Sequence, residues 1–133
     1  MAFVLCADML TGNEIIDKEH VELFAKINDF MESCAKGKGR DDMEKTVEFL
    51  RSYTKTHFSN EETLQKINKY PNYTVHKAFH DQFIGNMEAI VTEIKTSGVS
   101  VGLVGKINMQ LGSALIAHIK TEDVKLAKFL KDL

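Results

Sequence analysis

Apolar residues recur along this chain at alternating spacings of three and four, the period of an amphipathic α-helix, in four blocks. The first block runs from about Ile16 to Cys34, with Ile16, His20, Leu23, Ile27, Phe30 and Cys34 on one stripe. Gly37 and Gly39 are placed to end it, with Lys36 and Lys38 near the negative end of the helix dipole. In the second block Asp41 is the expected cap and Glu44 its capping-box partner. Its stripe is Met43, Val47, Leu50, Thr54, His57, Glu61 and Leu64, and Pro71 breaks the pattern by pushing Tyr70 out of helical geometry. The third block begins near Asn72, another capping residue, carries His76, His80, Phe83, Met87, Ile90 and Ile94, and ends at Gly98. Ser100 is the expected cap of the fourth, whose stripe includes Ile107, Leu111, Leu115, His118, Leu126 and Leu130. Gly102, Gly105 and Gly112 weaken its early turns and leave that boundary open. Short connections favour antiparallel neighbours. The expectation is an all-α, up-down-up-down four-helix bundle forming one domain over residues 1–133, with an N-terminal arm (1–14) and a bundle of about 15–131.

Composition agrees with this pattern. A chain of 133 residues has one core's worth of length, and one proline with eight glycines is too few for the turns of an all-β fold. The formal charge of -2 implies no basic face, so neither nucleic acid nor a membrane surface is an expected partner. Two cysteines, Cys6 and Cys34, make no disulfide framework. The apolar run from Ala2 to Ala7 has no basic residues before it and stops at Asp8, too short for a signal segment. The expected setting is the cytoplasm, with reduced thiols.

Histidine or carboxylate interrupts every apolar stripe. Singly, each has an ordinary explanation: His20 as a hydrogen-bonded core histidine, His57 and Glu61 as a surface pair, His76 and His80 on a solvated face, Asp123 as an exposed acid. Jointly they do not fit those explanations. His20 stands early in its helix, His57 and Glu61 late, His76 and His80 early, and His118 and Asp123 late. In an antiparallel bundle early and late alternate to give one level, so seven candidate ligands, all five histidines among them, converge on one layer. Residues four apart share a helix face and can grip one ion. Seven donors are too many for a tetrahedral site but suit two octahedral ions sharing carboxylates, and the nitrogen–oxygen mix suits iron while admitting manganese, cobalt or zinc. No cysteine joins the set, which disfavours an iron–sulfur cluster. A bis-histidine haem would leave five polar ligands unexplained.

Ile16-Asp17-Lys18-Glu19-His20, His57-Phe58-Ser59-Asn60-Glu61, His76-Lys77-Ala78-Phe79-His80 and His118-Ile119-Lys120-Thr121-Glu122-Asp123 complete the series H…HxxxE…HxxxH…HxxxxD. This series resembles the hemerythrin family in its single-domain bacterial form, the bacteriohemerythrins, over about Gly12 to Leu130. The resemblance implies two non-haem iron ions (Fe2+/Fe3+) with an oxo or hydroxo bridge. It implies His76, His80 and His118 on one iron, His20 and His57 on the other, and Glu61 and Asp123 bridging. O2 would bind end-on at the open position of the second iron. Such uptake conserves charge: two Fe(II), two carboxylates and hydroxide sum to about +1, as do two Fe(III), two carboxylates, oxide and hydroperoxide, so no new charge is buried.

The pocket for O2 should be apolar and dry: Leu23, Phe24 and Ile27 follow His20 on its helix face, and Leu115 stands one turn before His118, where the family often has a leucine near bound O2. Phe58 and Phe79 stand where they can pack on ligand rings, although each also reads as plain core. Many bacterial relatives carry a tryptophan near the position of Val4, and this chain has none. Five neutral imidazoles favour Fe(II) and disfavour the high-valent chemistry of carboxylate-rich di-iron bundles. The expectation is therefore reversible O2 binding for carriage, storage or delivery by a monomer, with no catalytic residue and with a delivery partner protein as the further option. The alternatives are an O2 or redox sensing module, a di-iron peroxidase or nitric-oxide-handling enzyme with Tyr53 as its acid–base group, or simple metal storage.

Overall fold

In a computed structural model the chain is described at residues 3, 6–36 and 40–133, with the backbone alone at 40–42. All regular structure among these residues is helical. Helix α1 (Glu14–Ala35) starts where Asn13 accepts hydrogen bonds from the backbone N–H groups of Ile15 and Ile16. Helix α2 spans Arg40–Ile67 and α3 spans Tyr73–Ser97. The fourth helix is built from α4 (Val101–Lys106), α5 (Ala114–His118) and α6 (Val124–Lys131), joined by two π-helical turns, Ile107–Ser113 and Ile119–Asp123.

The boundaries follow local chemistry, with differences from the sequence reading. Ser100 caps α4 by accepting from the Leu103 N–H at 3.0 Å. At Gly98 the backbone turns into the left-handed region (φ 74°) that favours glycine, and its N–H closes on the Ile94 carbonyl. Asn72 sits at the expected cap position of α3, but its side chain makes no capping bond; the turn is held by the Tyr73 N–H on the Tyr70 carbonyl. Asp41 lies inside α2, which already begins at Arg40, so it is not the cap. Val4, Gly37 and Gly39 lie outside the described residues.

Helix α1 packs on α2, α2 on α3, and the fourth helix closes the bundle against α3 and α1. The stripes read from sequence face inward, with Ile16, Leu23, Ile27, Phe30, Val47, Leu50, Phe83, Met87, Ile107 and Leu111 all buried. Leu64 is an exception: it is 37% exposed, and Gln65 takes the inward position at 0%. Phe3 and Met9 anchor the N-terminal arm on the bundle. Among the described residues no helix is long and apolar enough to cross a membrane.

Candidate metal centre

One layer of the bundle is polar. His20 from α1, His57 and Glu61 from α2, His76 and His80 from α3, and His118 and Asp123 from the fourth helix are all at most 4% exposed. The i to i+4 spacing brings His57 beside Glu61 and His76 beside His80 on α-helical faces. His118 and Asp123 are five apart. The π turn Ile119–Asp123 brings them onto one face, where an α-helix would hold them about 140° apart.

The donor atoms fall into two overlapping groups. Glu61, His76, His80, His118 and Asp123 offer atoms within 4.8 Å of one another, and so do His20, His57, Glu61 and Asp123. The carboxylates belong to both, and their oxygens divide between them. Asp123 Oδ1 lies 3.0 Å from His76 Nε2 and 3.1 Å from His118 Nε2, while its Oδ2 lies 3.0 Å from His20 Nε2. Glu61 Oε1 lies 3.2 Å from His80 Nε2 and 3.5 Å from His76 Nε2, while its Oε2 lies 3.4 Å from His57 Nε2 and 3.7 Å from His20 Nε2. His76 Nε2 and His118 Nε2 are 3.0 Å apart. Metal–nitrogen bonds of about 2.1 Å put adjacent corners of an octahedron about 3.0 Å apart.

These atoms are close without being aimed at one another. Both nitrogens of His20, Nε2 of His57 and His80, both Glu61 oxygens and Asp123 Oδ1 make no hydrogen bond of acceptable geometry. Leaving that many buried polar atoms unpaired costs several kcal/mol, and a shared cation removes the cost. The donor set fits a pair of metal ions.

The electrostatics fit as well. Burial disfavours charge on His57, but Glu19, Glu61 and Asp123 outweigh it and push the imidazole up to about 10. Burial is likewise overcome at His76, where Asp123 and Glu61 raise it to about 9, and at His20, which is raised by the same two carboxylates. At His118 burial prevails and holds the ring below its ordinary value. Burial pushes Glu61 and Asp123 up, yet the surrounding imidazoles hold both carboxyls well below the usual range. Without metal the two carboxylates therefore favour a proton on His20, His57 and His76, and a bound cation would compete with those protons.

A second ring of groups was not evident in the sequence. Glu62 Oε2 lies 2.9 Å from His80 Nδ1, and Glu19 Oε1 lies 3.4 Å from His57 Nδ1. Outer carboxylates of this kind orient ligand imidazoles and raise their basicity. The signal was available: Glu19 precedes His20 and Glu62 follows Glu61, but adjacency to a ligand does not say which neighbouring helix the side chain meets. Gln65, one turn beyond Glu61, is a further buried polar side chain that the apolar stripe does not reveal.

The aromatic expectations are met in detail. Phe58 stacks on His80 at 3.8 Å between centroids and 3° between planes, and Phe79 on His118 at 3.9 Å and 5°. Leu23, Phe24, Ile27 and Leu115 are buried in one apolar cluster with Leu111, Ile119 and Phe3. Tyr53 lies one turn before His57, and its hydroxyl donates to the Glu19 carbonyl at 3.4 Å.

Comparison with known proteins agrees with this layer. The family described as Hemerythrin HHE cation binding domain matches residues 11–130. The chain is similar to a myohemerythrin of Sipunculus nudus, 28% identical over 113 residues, covering 84% of this chain and 80% of the relative. It is similar to a bacteriohemerythrin of Pseudomonas paraeruginosa, 29% identical over 116 residues, 87% of this chain and 73% of the relative. A bacteriohemerythrin of Campylobacter jejuni is 24% identical over 122 residues, 91% of this chain and 90% of the relative. With the family series complete and its donors gathered in one buried layer, the chain belongs to the hemerythrin family, a helical bundle with a non-haem di-iron, O2-binding centre.

Proposed function

We propose that this protein binds O2 reversibly, for carriage, storage or local delivery, and is not an enzyme. In this reading His76, His80 and His118 would hold one iron, His20 and His57 would hold the other, and Glu61 and Asp123 would serve both. The observation that carries it is the division of each carboxylate, one oxygen toward the three-histidine set and one toward the two-histidine set. A pair of irons held by these residues would supply the electrons that reversible O2 binding needs.

The chain's own residues decide whether that binding reverses. Five neutral imidazoles against two carboxylates favour the lower oxidation state. The two-histidine position has one donor fewer, which leaves room for a ligand. Leu23, Phe24, Ile27 and Leu115 keep water away from it, and the stacked Phe58 and Phe79 hold two ligand rings in place. Burial pushes the Tyr53 hydroxyl up, aided by Glu19 and Glu22, so it keeps its proton near neutrality. The same reading makes the chain one cytoplasmic domain, a monomer with O2 as its ligand and neither nucleic acid nor membrane as partner.

The test is a cycle. The iron-loaded protein is reduced without air, exposed to O2 and then stripped of it. A visible spectrum that appears and disappears over repeated cycles is expected. Continuous release of hydrogen peroxide would make the protein an oxidase instead, and no spectral response to O2 would overturn the reading.

A further inference from the structure

We propose that the cleft between α1 and α2 is the path by which divalent cations enter and leave the buried layer, with Glu19 and Asn60 as its inner door and Glu61 as the first ligand beyond it. The path rests on the layer being a metal site and not on reversible O2 binding.

Every donor of the layer is at most 4% exposed, so an ion needs an opening to reach it. A cleft of about 370 Å³ between α1 and α2 has Glu61 in its lining. At about 30 Å³ per water, a divalent ion with six waters needs about 200 Å³, so the hydrated ion fits. Ile15 from α1 and Leu64 from α2, both exposed, line the cleft from its two sides.

Carboxylates stand at successive depths. The Glu19 side chain is 21% exposed and that of Glu61 1%, and the His57 imidazole lies between them. His57 Nδ1 is 3.4 Å from Glu19 Oε1, and its Nε2 is 3.4 Å from Glu61 Oε2. Asn60 reaches across from α2, its Nδ2 donating to Glu19 Oε2 at 3.4 Å. That bond is at the long limit of hydrogen bonding, and Asn60 is exposed, so side-chain rotation opens it without moving a helix. Beyond it, neither Glu61 oxygen has a hydrogen-bond partner. The cleft therefore ends on a buried, unpartnered carboxylate whose Oε2 is on the side of His20 and His57.

Charge selects what travels this way. Neither lysine nor arginine lines the cleft, and its two carboxylates attract a cation and repel an anion. A second cleft, of about 280 Å³ between α2 and α3, has His80 in its lining and is the poorer route. Lys55 lines it, and Phe58 covers the His80 ring at 3.8 Å between centroids. The ring turns Nδ1 toward Glu62 at 2.9 Å, while Nε2 is the atom beside Glu61.

Uptake of Co(II) by the metal-free full chain tests the path. Visible ligand-field absorption follows uptake in stopped flow, and excess chelator then reports release. A narrowed path slows both directions by the same factor and leaves Kd unchanged. Leu64→Trp and Ile15→Trp should each slow uptake and release about tenfold, with the number of bound ions unchanged. The two act from different helices, and circular dichroism identifies a variant that fails to fold. Asn60→Lys puts an ammonium in the cleft and should slow uptake about tenfold at low ionic strength and by less in high salt. Ser59→Trp, at the second cleft, should leave both rates as in the wild type. Unchanged rates in both Leu64→Trp and Ile15→Trp, unchanged uptake in Asn60→Lys, or slower rates in Ser59→Trp would overturn the path. Failure of the wild type to take up Co(II) would overturn the metal layer with it, whereas failure of the O2 cycle counts only against reversible O2 binding.

Discussion

Asp123 Oδ1 lies 3.1 Å from His118 Nε2 although the two stand five positions apart, because the chain between is a π-helical turn. An unbroken α-helix would instead present Glu122, four residues on, beside His118. Glu122 is half-buried and contacts Lys125 at 3.8 Å, away from the layer. π turns are rare and collect at functional sites, consistent with the helix accepting a weaker hydrogen-bond pattern to place one carboxylate.

The two neighbours should therefore behave oppositely. Asp123→Ala is expected to lower bound iron from about two per chain to one or none, with helical content kept. Glu122→Ala should retain both ions. Elemental analysis and circular dichroism check this, and the reverse ranking would show that the helix is regular in solution.

Glu62→Gln tests the outer carboxylate. The amide keeps a hydrogen-bond acceptor for His80 Nδ1 but loses the charge now 2.9 Å away. Metal affinity should fall by about 10–100-fold, and the less basic imidazole should raise the reduction potential of the centre. Chelator competition and spectroelectrochemistry measure the two effects. An unchanged potential would mean that Glu62 only steadies the ring.

Much of this was legible in the sequence, for a reason specific to helices. Fixed spacings such as His57 to Glu61 and His76 to His80 determine a shared face, and antiparallel order determines a shared level, so the layer follows from two counts. What was not legible depended on departures from the regular helix or on contacts between helices. The π register at His118 is invisible to a 3.6-residue period, which would have favoured Glu122. Leu64 and Gln65 exchange places because the stripe drifts near the end of α2, and hydrophobicity alone chose Leu64. Glu19, Glu62 and Phe3 act on partners from other segments, and pairings of that kind are set by packing.

The histidine shifts give a pH dependence with opposite signs for the two forms. His57 and His76 sit at about 10 and about 9 in the folded metal-free protein, against 6.5 as the ordinary value. Groups raised on folding stabilise fully below their ordinary value, and that stability is lost as pH rises through the folded values. The metal-free protein should therefore melt at a lower temperature near pH 10 than near pH 7. Metal must displace the same protons, so Zn(II) affinity should rise with pH and uptake should release acid. Calorimetry in buffers of different ionisation enthalpy counts the protons. Affinity independent of pH would contradict the protonated layer.

Leu115→Ala separates pocket dryness from fold stability. Leu115 is fully buried, one turn before His118 and in the cluster with Leu23, Phe24, Ile27 and Phe3. Truncation removes the transfer energy of the lost carbons and leaves a cavity, together costing about 2–5 kcal/mol. If the site served only the core, that loss of stability would be the whole effect. If the pocket keeps solvent from the two-histidine position, the cavity next to a polar layer also admits water, which polar surroundings with spare partners favour. The oxygenated form should then decay to the oxidised form several-fold faster than in the wild type, at a temperature where both remain folded. Ile27→Val provides the scale: it should cost only about 0.5–1.5 kcal/mol and opens too little space for a water molecule. Equal decay rates in Leu115→Ala and wild type, with the expected drop in melting temperature, would assign Leu115 to the core alone.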